Sequence, residues 1–525
     1  MKSKPKRTRT TRTAAGTRAL SRAAAGKRAF ARSAGTRAAA GVRRSSPAAH
    51  PSRRKRSVKG TARSRRRAAK RTTGRRIARM ASPPNVQTAA LRIPALNLAA
   101  ASAYAAEPIA SGRQPGEPLK ILYLVHAFYP ESYTGTEKFV LQLARTMQQR
   151  GHRVKVIACS ESLAEPSASG DIASVEYEHE GIPVLAYRGA AEAEGELMPL
   201  FRDPGFAAFA DDVLLREQPD ILHVAHAMNG TGFIRSALKL GIPYVMTLTD
   251  YWLACPKSTL LRTDRQLCAG PEGGSACALH CLLPGAAERL QALAPLLQGA
   301  RRIVAPSTFL ASYMKGAMPS IDVDILPHGM RLEAFVPNAR TYRAGDRITL
   351  VYGGSLGEHK GVHVLLAAMA MIRSRQLRLH IYGSGDPVYA DALKRAAAGD
   401  SRISFRGTYA EDDLPRIYHE ADVAVVPSVW YENAPLTLRE ALASRVPVIA
   451  SGAGGMAEKI VDGLNGFTFR IGDARHLAAR LKLLLRNPAI LNTLKANIAG
   501  MQQPALDAEM DAYASLYASH ARVSC

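Results

Sequence analysis

Residues 426–443 read VPSVWYENAPLTLREALA, an apolar strand-like run that passes through a proline into a helical pattern. It carries two carboxylates, Glu432 and Glu440, and buried acids are costly unless something pairs with them. A carboxylate only accepts hydrogen bonds, so its natural partners here are hydroxyl pairs such as those of a sugar ring or a ribose. Glu432 is expected in the loop at the strand's carboxyl end, with Pro435 as the first helical residue, where its missing N–H costs nothing. Glu440 then falls about one and a half turns into the helix. The bland alternative is an exposed Glu432 and a structural Glu440 pairing Arg439 or Arg445. Two other loops carry groups suited to phosphate. In TGTE (134–137) Gly135 lets a ligand approach a helix start, and in GGSLGEHKG (353–361) Lys360 is a point charge.

A second constellation is made of sulfur. Cys255, Cys268, Cys277 and Cys281 are spaced C-x12-C-x8-C-x3-C in a Gly/Pro-rich segment of low apolar content, which is expected to need a staple. Four thiolates suit a tetrahedral structural zinc, with His280 able to replace one of them. Two disulfides, an iron–sulfur site or free thiols remain open. Cys159 and Cys525 look incidental.

The elements that must position these groups begin at Leu119. LKILYLVHAFYP reads as a buried strand ended by proline, TGTEKFVLQLARTMQQRG as a helix, and HRVKVIAC as the next strand, which is a βαβ unit. The alternation continues through PDILHVAH and IPYVMTLTD. A second series follows in RITLVYGG, LRLHIYGSG, ISFRGTY, ADVAVVPS and VPVIAS. The expected fold is α/β, with two Rossmann-like doubly wound halves facing a cleft. The first half spans 118–298 with the cysteine insert 255–281, and the second spans 302–490. Residues 491–525 form a closing amphipathic helix and tail. Ligands of such sheets bind beyond the strands' carboxyl ends.

Charge divides the chain differently. Residues 1–80 hold 28 Lys and Arg and no acid, equal to the whole net charge of +28; the remaining 43 basic residues match 43 acidic ones. Residues 1–117 read as a disordered Arg/Ala-rich tail and linker, with residues 1–80 able to contact nucleic acid or an anionic membrane without specificity. A solvated extension ahead of a start at Met80 is the alternative. No run is apolar enough to span a bilayer, so the expectation is a cytoplasmic protein, peripheral at most to the inner face of a membrane.

As a set, E-x7-E after VVPSVW, then EALASRVPVIASGAGGMAE and DGLNGF, resemble the retaining glycosyltransferases of family 4, with the GT-B fold. YLVHAFYP…TGTE, DILHVAH, ILPHGM and GEHKGVHVLLAA follow the same family in order, so the resemblance covers about residues 118–515. It implies a nucleotide-sugar donor, UDP- or GDP-linked, held mainly by the C-terminal half, and a glycan or lipid-linked acceptor on the other side. By this resemblance Glu432 grips hydroxyls of the transferred sugar and Glu440 the ribose. Asn433, Ala434, Pro435, Leu436 and Ser355 line the donor, Lys360 neutralises the diphosphate, Gly135 admits it, and His226 lies over the reacting sugar. No cofactor is required for transfer. Members commonly place an arginine where this chain has Gly353, Gly354 and Ser355, and a histidine where it has Thr249. These departures keep a second class in play, a catalytically silent protein that only binds nucleotide sugar or glycan. A nucleic-acid-associated protein acting through its tail is a third.

Overall fold

The computed structural model describes residues 117–163, 172–188 and 204–522, so the expectations for the basic tail fall outside the described residues. The chain builds two α/β layers in sequence. The first sheet contains β1 (Lys120–Val125), β2 (Arg153–Cys159), β3 (Ser174–His179), β4 (Ile182–Tyr187), β5 (Ile221–Val224), β6 (Tyr244–Thr247), β7 (Arg302–Ala305) and β8 (Asp324–Ile325). Its spatial order is β3-β4-β2-β1-β5-β6-β7-β8, parallel throughout except for the β3–β4 hairpin. The second sheet contains β9 (Ile348–Gly353), β10 (Leu377–Tyr382), β11 (Ile403–Gly407), β12 (Val423–Val426), β13 (Val448–Ser451) and β14 (Gly466–Phe469). Its order is β11-β10-β9-β12-β13-β14, all parallel.

Parallel strands covered on both faces must be apolar along their length rather than alternating. Ile121 to Val125, Val423 to Val426 and Val448 to Ala450 are accordingly buried without a break. In each sheet the strand order reverses beside the first strand, between β1 and β5 and between β9 and β12. Chain connections diverge at such a point and leave a crevice past the carboxyl ends. The loops carrying His226, Lys360 and Glu432 all leave strands at these two points.

Two boundaries differ from the sequence reading. β7 pairs in register with β6, Val245 beside Arg302, and β8 pairs with β7, so the first half runs beyond 298 to at least Ile325. Arg302–Ala305, expected to open the second half, is therefore the seventh strand of the first. The region 491–525 also splits. The helix Ile490–Ala499 buries Leu491 and Leu494 in the second half, whereas the helix Leu506–His520 returns to the first half and buries Met510, Tyr513 and Tyr517 beneath β1.

That return is tied by polar contacts. Tyr517 Oη lies 2.6 Å from His223 Nδ1, His223 Nε2 lies 2.8 Å from Thr247 Oγ1, and Tyr513 Oη lies 2.9 Å from the same hydroxyl. Glu509 accepts from the Gly329 amide at 2.8 Å and pairs His328 at 2.7 Å. The two crossing segments touch closely enough that a Cβ on Gly329 would stand 2.1 Å from the Ala505 carbonyl. Among the described residues no helix is long and apolar enough to cross a membrane. Tyr517→Ala removes a fully buried ring and orphans His223, so urea unfolding should show a loss of about 3–5 kcal/mol. A loss below about 1 kcal/mol would show that the helix does not complete the first core.

Candidate active site

Glu432 sits in the loop after β12, almost fully buried. Its Oε1 accepts from Lys360 Nζ at 2.8 Å, Ser428 Oγ at 2.6 Å and Trp430 Nε1 at 2.8 Å. Burial alone would raise this carboxyl, but the Lys360 charge and the three hydrogen bonds outweigh it and hold the pKa below the usual value. Lys360 ends a short turn, Glu358–Lys360, and its ammonium lies 5.0 Å over the Trp430 ring. The turn is closed by Gly361 at φ +70°, where a Cβ would stand 2.0 Å from the Pro427 carbonyl. From the other side the Gly455 amide donates to the Glu432 carbonyl at 2.7 Å, and a Cβ on Gly455 would meet the Asn433 carbonyl at 1.7 Å. GAGG (452–455) thus clamps the acid's backbone, while KG (360–361) presents the base.

The helix Leu436–Ala443 starts just beyond, with Pro435 as its cap rather than its first helical residue. Across the cleft begins the helix Gly135–Gln149. A Cβ on exposed Gly135 would stand 4.0 Å from Leu436 Cδ1, so two helix starts face each other. Such starts present amides and positive dipole ends, a natural seat for a diphosphate. Glu440 is buried inside its helix and accepts from Tyr418 Oη at 2.9 Å. Its partner is thus neither Arg439, which donates to the Gly329 carbonyl, nor Arg445. Burial raises the Glu440 carboxyl, and Tyr418, Lys138 and Arg439 offset this only in part.

The other expected residues divide. Ser355 is exposed after β9, its carbonyl accepting from Tyr352 Oη at 2.7 Å. Ala434 and Pro435 line the approach to the helix, half-buried. Asn433 points its side chain elsewhere: Oδ1 accepts from Ser307 Oγ at 2.9 Å and Nδ2 donates to the Thr249 carbonyl at 3.2 Å. It therefore joins the Glu432 loop to the first half.

His226 is engaged at both nitrogens, Nδ1 by the Met228 amide at 3.2 Å and Nε2 by Asp250 Oδ2 at 3.0 Å. Burial would raise Asp250, but His226 and the Trp252 amide hold it below its ordinary range. No described contact sets His226 against Glu432 or Lys360. The ring packed beside it, His126 at 4.2 Å and tilted by 46°, was missed in the sequence. His126 Nε2 approaches Glu137 Oε1 at 3.3 Å, without the alignment of a hydrogen bond. Its buried Nδ1 has no hydrogen-bond partner among the described residues. Only its place, directly after β1 at the switch point, could have signalled it. Ser428 and Trp430 were legible only as neighbours of Glu432.

The cysteine insert follows β6 and is less bare than expected. Cys255, Leu260, Ala276 and Cys277 of the insert are buried, and just outside it buried Arg289 donates to the Trp252 and Leu253 carbonyls while lying 4.2 Å over the Trp252 ring. None of its cysteines is in a disulfide. His280 Nδ1 is occupied by Arg262 at 2.6 Å, which removes it as a substitute ligand through that atom.

Two doubly wound α/β halves, with a Lys–Glu pair and two facing helix starts at the cleft between them, define a two-domain architecture with one shared site. The chain belongs to the family 4, group 1 glycosyltransferases: the family described as "Glycosyltransferase Family 4" matches residues 133–334, and "Glycosyl transferases group 1" matches 347–487. The lipopolysaccharide 1,2-N-acetylglucosaminetransferase of Salmonella typhimurium is 28% identical over 183 residues, 32% of this chain and 48% of that protein. The chain thus spans about half of that relative. The D-inositol 3-phosphate glycosyltransferase of Pseudarthrobacter chlorophenolicus is 25% identical over 377 residues, 68% of this chain and 83% of that one. In fold the chain is similar to sucrose-phosphate synthase from Thermosynechococcus elongatus, with a TM-score of 0.58, 21% identity, and 76% and 98% of the two chains covered. It is similar also to Anabaena HepE in complex with UDP and glucose, with a TM-score of 0.55, 17% identity, and 76% and 99% covered.

Burial holds both His126 and His223 neutral, each pushed down to about 3, with the nearby His226 adding to the effect on His126. The unfolded chain takes up protons near the ordinary 6.5 that these folded groups refuse, so acidification below about pH 6.5 costs stability. Each contributes a slope of about 1.4 kcal/mol per pH unit. His126→Asn should flatten the slope of unfolding free energy between pH 6.5 and 5 by that amount. A slope equal to wild type would mean that His126 is protonated in the fold.

Proposed function

We propose that the protein is a retaining glycosyltransferase that moves a hexose from a nucleotide-diphosphate sugar to a hydroxyl of a glycan or lipid-linked acceptor. The observation that carries this reading is the Lys360–Glu432 pair at 2.8 Å, at the mouth of the second switch point. The pair stands at the carboxyl ends of β9 and β12, where ligands of such sheets bind, and this place supports a ligand-facing role. On donor binding Lys360 serves the departing diphosphate, while Glu432 takes hydroxyls of the sugar. Charge developing on the leaving phosphate is met by fixed donors that need not reorganise. The bond from the anomeric carbon to the phosphate oxygen breaks, and the acceptor oxygen attacks on the face just vacated. Its proton passes to the departing phosphate oxygen, so the anomeric configuration is kept. Lys360 and the helix starts supply positive charge for this step.

The acceptor enters from the first half. His226, oriented by Asp250, packs near the reacting sugar, with the His126 ring beside it. Glu440 at the inner end of the donor cleft serves the ribose. Residues 1–80, whose charges are all positive, add salt-sensitive attraction to polyanions.

Screening UDP- and GDP-hexoses by donor hydrolysis, then following the product anomer by NMR, tests the reading. Retention is expected, and a product of opposite anomeric configuration overturns it. Glu432→Gln removes about two charge-assisted hydrogen bonds to the sugar, so turnover should fall about 10²–10⁴-fold with the fold intact. Near wild-type turnover would dismiss Glu432. Glu440→Gln should act chiefly on the donor KM; an unchanged KM with lowered kcat would assign Glu440 to the chemistry instead.

A further inference from the structure

The transfer chemistry makes no use of the sulfur cluster. Cys255, Cys268, Cys277 and Cys281, drawn from successive turns of one loop segment, all line one small cavity of about 10 Å³, room for one water-sized occupant. Cys277 and Cys281 stand one turn apart on the helix Ser275–Cys281, a spacing that puts both on one face. That helix is held by Gly274 at φ +103°, where a Cβ would stand 2.4 Å from the Ala287 amide. Cys255 and Cys268 are brought together by Leu260, whose carbonyl accepts from the Cys268 amide at 2.8 Å and whose own amide donates toward the Cys255 sulfur. The Lys257 amide makes a second donation to the same sulfur. Both amides come from the segment 257–260, so the backbone wraps the Cys255 sulfur on that side and holds it at the cavity wall. Tyr313 lines the same cavity, its Oη 3.9 Å from Cys268 Sγ.

We propose that these four cysteines form a thiolate site for a single structural Zn²⁺. The sulfurs share the cavity without forming a coordination shell: among the described residues no three of His, Cys, Asp and Glu are arranged to hold an ion. Binding therefore draws the four sulfurs inward onto the metal, forming four Zn–S bonds and releasing one proton from each thiol that is still protonated. Zinc is favoured because four thiolates with no oxygen ligand select a soft tetrahedral cation. All four positions being filled by protein, the ion would have no open site for substrate. Its task is to stiffen the insert. The insert leaves β6 at Asp250 and Trp252, the two residues that flank His226, and it reaches the opposite half through Arg265, 2.9 Å from Glu358 in the turn that carries Lys360. One ion would then brace both walls of the cleft.

Elemental analysis of the full chain, expressed with zinc and purified without a metal-binding tag or chelator, tests this. About one zinc per chain is expected, released in equal amount to a chromogenic chelator when a mercurial blocks the thiols. Cys277→Ser and Cys255→Ser should lose the zinc, while Cys159→Ser, outside the cavity, should keep it. Protein without zinc in which all four thiols react in the native state overturns the proposal. So does iron with acid-labile sulfide in place of zinc, or zinc retained in a Cys277→Ser/Cys281→Ser variant. If the variants fail to fold, the metal content of the wild-type protein decides alone.

Discussion

A carboxylate that stays charged when shielded from water needs a cation within hydrogen-bond reach, and Lys360 is that cation for Glu432. The surrounding architecture reads as what it takes to keep the two in place. Lys360 is fixed by a turn that only a glycine at 361 can close against Pro427, and Glu432 by the backbone clamp of Gly455. Trp430 serves both, donating to the acid and offering its ring face to the ammonium. A pair so supported can exchange its partner for ligand groups without paying to reorganise, because the donors are already aimed.

The pair is useful only if the two halves stay opposed. Three contacts do this near the cleft. Asn433 bridges the Glu432 loop to Ser307 and to the end of β6, and Glu458 caps the helix Thr308–Ala317 from the second half. Glu509, on the returning C-terminal helix, fastens the crossover at His328 and Gly329. Each is a carboxylate or amide meeting backbone or hydroxyl groups, a kind of contact that can break and reform more readily than an apolar core.

Much of this was legible in the sequence, and the reasons for the remainder are physical. Ten strands, β7 among them, announced themselves as apolar-rich runs, because parallel strands covered on two faces are largely apolar; of these β10 and β11 keep exposed polar positions. The β3–β4 hairpin did not, since β3 is an edge strand whose residues SVEYEH are mostly open to water. β7 was seen but assigned to the wrong half, because an apolar strand carries no mark of which sheet it joins. The C-terminal helix was visible as an amphipathic segment, yet its docking under β1 rests on Tyr513 and Tyr517 meeting His223 and Thr247 from nearly 300 positions away. At the site, Glu432, Glu440 and Lys360 could be found as charges in apolar surroundings. His126, Tyr418 and the full pairing of His226 with Asp250 could not, since partnerships between separate strand ends leave no spacing to read. The backbone amide of Asn433 was expected to line the diphosphate, and its side chain has a separate task that the sequence did not show, tying the halves together.

The most direct measurement is calorimetric binding of a nucleoside diphosphate and of the matching nucleotide sugar to wild type, Lys360→Met and Glu432→Gln. If Lys360 serves the diphosphate and Glu432 the sugar, Lys360→Met weakens both ligands, and Glu432→Gln weakens the nucleotide sugar while leaving the diphosphate close to wild type. Equal weakening of both ligands by Glu432→Gln, or undiminished diphosphate binding by Lys360→Met, would contradict that division of labour.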